Sequence, residues 1–254
     1  MRGILWVLVW TCFASATGVP AWFQGEQLDY EVRYGFVTAG QATLITRPVS
    51  TDSTRLDFVA LAQNNGFFES IYPVQDTIVS RVQKHGLLPD FFRKVNHEGS
   101  FHARSHIRNE WSHGLAHLSD TVFAEKMAVK RSFDTTVSVA GDFHNILSAF
   151  YKVRLSYLEP GKDGHILAVS GKKKYAMRVI CHRREIVTVA AGTFPCLVVE
   201  PVLEGDGIFQ AKGSLTIWLT DDARRLPVLM KSKISVGSIR AELKSWTQGT
   251  VSAP

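Results

Sequence analysis

Alternation of apolar and polar side chains with a period of two dominates the chain after residue 24. In "LDYEVRYG", Leu28, Tyr30, Val32 and Tyr34 fall on one side and Asp29, Glu31 and Arg33 on the other. "IRAEL" sets Ile239, Ala241 and Leu243 against Arg240 and Glu242. "VLMKSKISV" sets Val228, Met230, Ile234 and Val236 against Lys231, Lys233 and Ser235. Successive side chains of a strand point to opposite faces, so the pattern predicts strands with one buried and one wet face, as antiparallel sheets have. Further strands are predicted over 40–46, 55–62, 76–83, 101–110, 165–171, 175–182, 184–190, 196–203 and 213–220. Gly, Pro, Asp and Asn punctuate nearly every boundary. The fold class is all-β: a curved antiparallel sheet forming a barrel or partly open barrel, with a sandwich as the other arrangement of such strands.

One segment breaks the rhythm. "AGDFHNILSAFYKVR" carries Phe143, Ile146, Leu147 and Phe150 at i, i+3, i+4 and i+7. Asp142 is a plausible N-cap, and Lys152 and Arg154 suit the negative end of the helix dipole. One amphipathic helix near 142–154 is therefore predicted between two blocks of strands, placed to cover or plug one end of the sheet. With no internal repeat and no low-complexity linker, the chain reads as a single β-rich domain over 25–247 with a flexible tail at 248–254. "DDARRLP" (221–227) joins two strands. Asp at the start of a turn hydrogen-bonds its own backbone, and no base or nucleophile lies nearby, so the acidic pair reads as turn chemistry.

The N-terminus has its own pattern. Arg2 precedes an apolar run from Ile4 to Phe13, followed by Ala14-Ser15-Ala16. That order describes a secretory signal peptide over 1–16, with cleavage after Ala21 as the second choice. The run is shorter than the about 20 residues a spanning helix needs. Cys12, after Trp10-Thr11, does not suit a lipoprotein anchor. The formal net charge of +6 is dispersed over short clusters such as "SGKKKY" and "CHRRE". They read as solvated strand faces, or as weak attraction to anionic headgroups at a membrane surface. Nucleic acid is not a partner expected of an exported chain.

The segments at 27–46, 68–80 and 142–154 lead to a resemblance. "GEQLDYEVRYGFVTAGQATL", "FESIYPVQDTIVS", "DFHNILSAFYKVR", "REIVTVAAGTFPCLVVEP" and "IWLTDDARRLPVLMKSKISVGSIRAEL" follow one another in an order that resembles the bacterial family catalogued as domain of unknown function 3108, over roughly residues 25 to 245. His144-Asn145 stands where an acidic residue usually precedes the Leu-Ser pair, with Asp142 slightly earlier, and the histidines of 97–117 look particular to this chain. The resemblance implies export in a bacterium with a cell envelope and a curved antiparallel sheet. It brings no established activity and no catalytic residues.

Candidate chemistry is sparse. Once the leader is gone, Cys181 and Cys196 remain. An oxidising compartment permits one disulfide between them, although a simple hairpin centred on "AAGT" would not place them opposite each other. Five histidines, His97, His102, His106, His113 and His117, lie on or near strand 101–110. On a strand, His102 and His106 share a face about 13 Å apart. A hairpin turning near "WSHG" would set His117 opposite Asn109 or Glu110. A metal site with Glu110 or Asp120 is one reading, and surface histidines are the other. There is no serine elbow and no phosphate loop. No cofactor is expected.

A curved sheet can enclose an apolar cavity, and the candidate wall residues are Tyr30, Tyr34, Phe58, Phe67, Phe68, Trp218 and Met230. The same side chains could instead fill a core. "NNGFFESIYPV" is the mouth candidate, because one of two adjacent strand rings must leave the core unless the chain bends. The resulting expectation is a non-catalytic protein, periplasmic or associated with the inner face of the outer membrane, that binds or carries a lipid-like ligand. An assembly partner with a packed core, binding another envelope protein, and a metal-dependent hydrolase using the 97–117 histidines are the alternatives.

Overall fold

The computed structural model describes residues 19–64, 66–124, 127–139, 141–170, 173–204, 215–233 and 237–249. The leader at 1–16, most of the expected tail, and Ile234 and Val236 lie outside these. The strands are β1 (Gln27–Tyr34), β2 (Val37–Val49), β3 (Asp52–Asn64), β4 (Gln75–Gln83), β5 (Pro89–Glu98), β6 (Phe101–Glu110), β7 (Leu115–Phe123) and β8 (Val129–Ser138). After them come β9 (Asp163–Ser170), β10 (Lys173–Val189), β11 (Gly192–Glu204), β12 (Leu215–Thr220), β13 (Pro227–Lys233) and β14 (Ser238–Thr247). A short helix α1 (Gly66–Ile71) separates β3 from β4, and α2 (Ile146–Arg154) separates β8 from β9.

All fourteen strands form one antiparallel sheet, ordered β8 to β1, then β14 down to β9. The order is that of a meander closed on itself between β1 and β14 and left open between β8 and β9. The two ends nevertheless meet. Phe92, Ile107 and Leu118 on β5, β6 and β7 share an apolar cluster with Val169 on β9 and with Phe143. His144, in the connection between β8 and α2, lies parallel to β9. Its N–H donates to the Leu167 carbonyl at 2.9 Å, and its carbonyl accepts from the Val169 N–H at 2.8 Å. The architecture is a partly open barrel whose seam is laced by the chain that crosses it.

Helix α2 lies inside. Leu147 and Tyr151 pack with Phe23, Leu56, Phe58 and Val82. Ala149 and Val153 pack with Ile166, Val179, Leu197 and Ile217 from the other half of the sheet. A helix so surrounded must be compatible with the core around most of its circumference, not along one stripe. That corrects the predicted face. Ile146 is 61% exposed, and Phe143 precedes the helix and packs on Trp111. The cap is Asn145, not Asp142: its Oδ1 accepts from the Leu147 and Ser148 N–H groups at 3.0 Å, while Ser148 Oγ accepts from the Asn145 N–H. This capping box satisfies otherwise unpaired first-turn donors. Asn145 Nδ2 also donates to Ser80 Oγ on β4 at 2.8 Å, which pins the start of the helix to the sheet.

The other end is fixed by charge. Arg154 is buried and forms two hydrogen bonds to Glu26, at 2.6 and 2.8 Å, and two to the carbonyls of Arg224 and Arg225. Four of its five-donor capacity is thereby used, and the Phe23 and Tyr151 rings flank it at 5.3 and 5.5 Å. The "DDARR" turn is turn chemistry, as predicted. Asp222 Oδ1 accepts from the Arg224 and Arg225 N–H groups, and Asp221 pairs with Arg184 and Arg225. Its carbonyls additionally hold the helix. The fold also starts before residue 25: Phe23 is fully buried, and the Gly249 N–H donates to the Trp22 carbonyl.

Other departures have local causes. Cys181 and Cys196 are free thiols, not a disulfide. Cys181 is in register with Val199, and Cys196 with Glu185. The two side chains enter different clusters on opposite faces of the sheet. Val228 and Met230 do not share a face, because the register shifts between Trp218 and Leu219. Val228 packs with Trp218, and Met230 packs with the interior cluster that holds Ile217. Strands β5, β7 and β8 have no counterpart in the alternation. Adjacent Phe91-Phe92 blurs the first, and the polar, largely exposed side chains of β8 belong to an edge strand.

Two outcomes follow. Replacing Arg154 by Ala leaves Glu26 buried without its partner and is expected to cost about 3–5 kcal/mol, read as a lower urea midpoint; a loss under about 1 kcal/mol would show the pair to be dispensable. His144 is buried, which lowers its pKa from 6.5 to about 4, with Lys152 adding to the effect. The unfolded chain therefore takes up the proton first. Stability is complete above pH 6.5 and falls as the pH drops towards 4, by up to about 3 kcal/mol. His144→Gln should flatten that limb in pH-dependent urea titrations.

Candidate functional site

The interior is filled at one end and open at the other. Helix α2 and its partners Leu56, Val82 and Leu226 occupy the end where β3 and β13 begin and β4 finishes. Toward the opposite end the inward side chains shrink. On β2 the series is Leu44, Ala42, Gly40; on β3 it is Phe58, Ala60, Ala62, and Leu44 pairs with Ala60 and Ala42 with Ala62. A Cβ at Gly40 would lie 2.3 Å from the Gln63 carbonyl oxygen, so only glycine permits this approach of β2 to β3. The lost side-chain volume reappears as a cleft of about 370 Å³ with a mainly apolar surface. Val32, Tyr34, Ala62, Phe68, Tyr72 and Ile239 line it.

Helix α1 roofs the cleft. Asn64 closes the loop that carries it, donating from Nδ2 to the Tyr72 carbonyl at 2.6 Å and accepting on Oδ1 from the Val74 N–H at 2.8 Å. Gly99, at φ 58°, lies so close to Tyr72 that a Cβ would meet its ring at 2.4 Å. The rim is apolar and exposed. Phe36, on the turn between β1 and β2, is 92% exposed, Phe67 is 73% exposed, and Val37, Ile71 and Tyr72 are exposed beside them.

One wall is polar. Glu98 lines the cleft, and Asn96 Nδ2 donates to both Glu98 Oε1 at 2.7 Å and Asp76 Oδ2 at 2.9 Å. Burial raises the pKa of Glu98, and the adjacent Asp76 carboxylate raises it further. The two carboxyl groups face a shared amide rather than a nucleophile.

The predicted wall residues divide. Tyr34 and Phe68 meet at the cleft. Phe67 stands on the rim, its ring 5.9 Å from that of Phe68 in a T-shaped pair. The chain bends there into α1, which separates the two rings without a strand. Tyr30 and Phe58 do not line it. Tyr30 is buried and donates to the Pro227 carbonyl at 2.8 Å, and Phe58 stacks on Tyr151 with centroids 3.9 Å apart. Met230 packs in the core, and Trp218 packs on the outer face. The histidines do not converge: among the described residues no group of three His, Cys, Asp or Glu side chains is placed to hold a metal. His97 pairs across strands with His102, His106 lies against Phe91, and His113 and His117 flank Glu110 at 3.6 and 3.2 Å. His117 is in register with Arg108, not with Asn109 or Glu110.

Gly40, Tyr72, Phe36 and the Asp76–Glu98 pair were not singled out from the sequence. The shortening series Leu44-Ala42-Gly40 and Phe58-Ala60-Ala62 was the available signal. Because the folded pKa of Glu98 is raised, its ionisation opposes folding once the pH exceeds the unfolded carboxyl value. Glu98→Gln should raise the urea midpoint at pH 7, with the gain vanishing as the pH falls below about 4.

The structure is similar to a β-barrel-like protein of domain of unknown function 1849 from Brucella abortus, with TM-score 0.56 and 11% identity over 88% of this chain and 97% of that one. It shares the fold. A candidate exported protein with a YmcC-like fold from Bacteroides fragilis aligns at TM-score 0.32 and 12% identity, over 90% of this chain and 100% of that one. A candidate lipoprotein from Parabacteroides distasonis aligns at TM-score 0.34 and 9% identity, over 91% and 99%. Neither likeness carries an argument. No curated protein matches the sequence. Residues 29–244 match the sequence profile described as protein of unknown function (DUF3108), and the chain belongs to that family.

Proposed function

We propose that this is an exported, non-catalytic envelope protein that binds the apolar chain of a lipid-like ligand in the cleft at the open end of the barrel. The observation that carries the reading is the combination of an apolar cleft with an apolar lip. Tyr34, Phe68 and Tyr72 line about 370 Å³, and Phe36, Phe67 and Ile71 stand exposed around the mouth. A rim of that kind marks an interaction site on an otherwise soluble surface. The volume lies near the lower limit for small-molecule pockets, about 300–1,000 Å³. It suits part of one acyl chain and not a two-chain lipid. Each buried methylene contributes about 0.8 kcal/mol, so a handful already gives affinities near the millimolar to micromolar range. The leader-like segment at 1–16 supports a periplasmic address.

The filled half of the barrel supports a second reading. Phe23 and Phe58 pack ring to ring against Tyr151 of α2, and the exposed rim would equally seat another envelope protein. Native mass spectrometry of protein purified from periplasm without detergent, followed by organic extraction, separates the two. The lipid reading expects a reproducible adduct near one per chain, lost in Phe68→Asp with an unchanged urea midpoint. A bare mass together with no uptake of fluorescent fatty acid would overturn it.

A further inference from the structure

A second cleft, of about 340 Å³, lies on the outer face of β10–β13 and takes no part in the apolar site. Its lining differs in kind: His182, Arg183, Thr216, Lys231 and Lys233 surround Trp218, with Glu200 the one carboxylate. A β-bulge produces this concentration. The pairing of β10 with β11 shifts register between Cys181 and Arg183, so His182 and Arg183, adjacent in sequence, both reach the outer face. Regular alternation would have sent one of them inward, and re-aiming side chains is what a bulge does. Lys231 stands in register with Thr216 on β12, and Lys233 follows two positions later on the same face.

The acidic groups nearby are largely committed. Glu200 holds His182 at 2.9 Å, and Glu185 holds Arg183 at 2.7 Å. Arg240, in register with Lys231, is paired with Glu242. Lys231 and Lys233 have no acidic partner among the described residues, and both are exposed. Trp218 is only 8% exposed, yet its indole N–H finds no acceptor among the described residues. A buried donor left unpaired costs about 1–3 kcal/mol, and the Trp218 side chain that carries it lines the cleft together with Lys231, Lys233 and Thr216. The lining is rich in donors, and its one carboxylate, Glu200, is already held by His182.

We propose that this cleft binds a phosphate group, with Lys231 and Lys233 supplying charge and Trp218 and Thr216 supplying directed hydrogen bonds. Lys233 ends β13 and Thr216 lies at the start of β12, so the cleft is on the same end of the barrel as the apolar rim. A lipid headgroup meeting that end and a free phosphate present the same chemistry. The site does not depend on the apolar cleft holding a chain.

The test is the indole N–H resonance of Trp218 in nitrogen-15-labelled protein, assigned with Trp218→Phe. It is followed during titration with inorganic phosphate, with soluble dihexanoyl phosphatidic acid, and with chloride at matched ionic strength. A saturable shift with inorganic phosphate identifies a free-phosphate site. A shift with the phosphatidic acid alone identifies a headgroup site. In either case Lys231→Ala/Lys233→Ala should weaken binding at least tenfold while the other indole resonances stay in place. No shift with either phosphate, an equal shift with chloride, or unchanged binding in the double variant would overturn the proposal.

Discussion

The seam between β8 and β9 governs the rest of the structure. A fourteen-strand meander whose end strands do not pair with each other has unpaired edges, and so many strands enclose more space than the roughly eight that side chains just fill. One stretch of chain covers part of the β9 edge and fills the interior. The backbone of His144 occupies the edge of β9, and α2, immediately after it, fills the lumen from within. Loss of either would leave the other without purpose, because the segment that laces the seam also delivers the helix.

The axial position of α2 then decides where the free space lies. Asn145 ties its start to Ser80, and Arg154 ties its end to Glu26 and to the Arg224 and Arg225 carbonyls. Desolvating such a pair is costly, and its geometry must be well satisfied to repay that. What it secures is position: the helix remains in the half of the barrel where Phe58 and Leu44 are large, and the half where Gly40 and Ala62 are small stays open. The apolar cleft is thus a consequence of the plug as much as of its own lining.

The strand class, the place of α2 between two blocks of strands and the "DDARR" turn were legible because each rests on local chemistry: alternation, a break in it, and Asp at a turn; the apolar face expected of α2 was wrong, and α1 was not foreseen. What was not legible depends on tertiary placement. Lys152 and Arg154 look alike at the end of a helix, but only the fold decides that Arg154 is buried against Glu26, 128 residues away. Tyr30 and Tyr34 share one alternating strand, yet one donates to Pro227 in the core and the other lines the cleft. Periodicity names a face and is silent about how deep along the barrel a residue lies. Bulges defeat it outright, as at Val228 and at His182. The phosphate-type cleft depends on one of them.

The central claim is that the ligand space lies between Tyr34, Phe68 and Tyr72, opposite the plug. The most direct measurement is diffraction at the bromine absorption edge from crystals grown with a fatty acid brominated along its chain. The account predicts an anomalous peak inside that cleft, in contact with Phe68. A peak confined to the outer face of β10–β13, or none at saturating ligand, would contradict it.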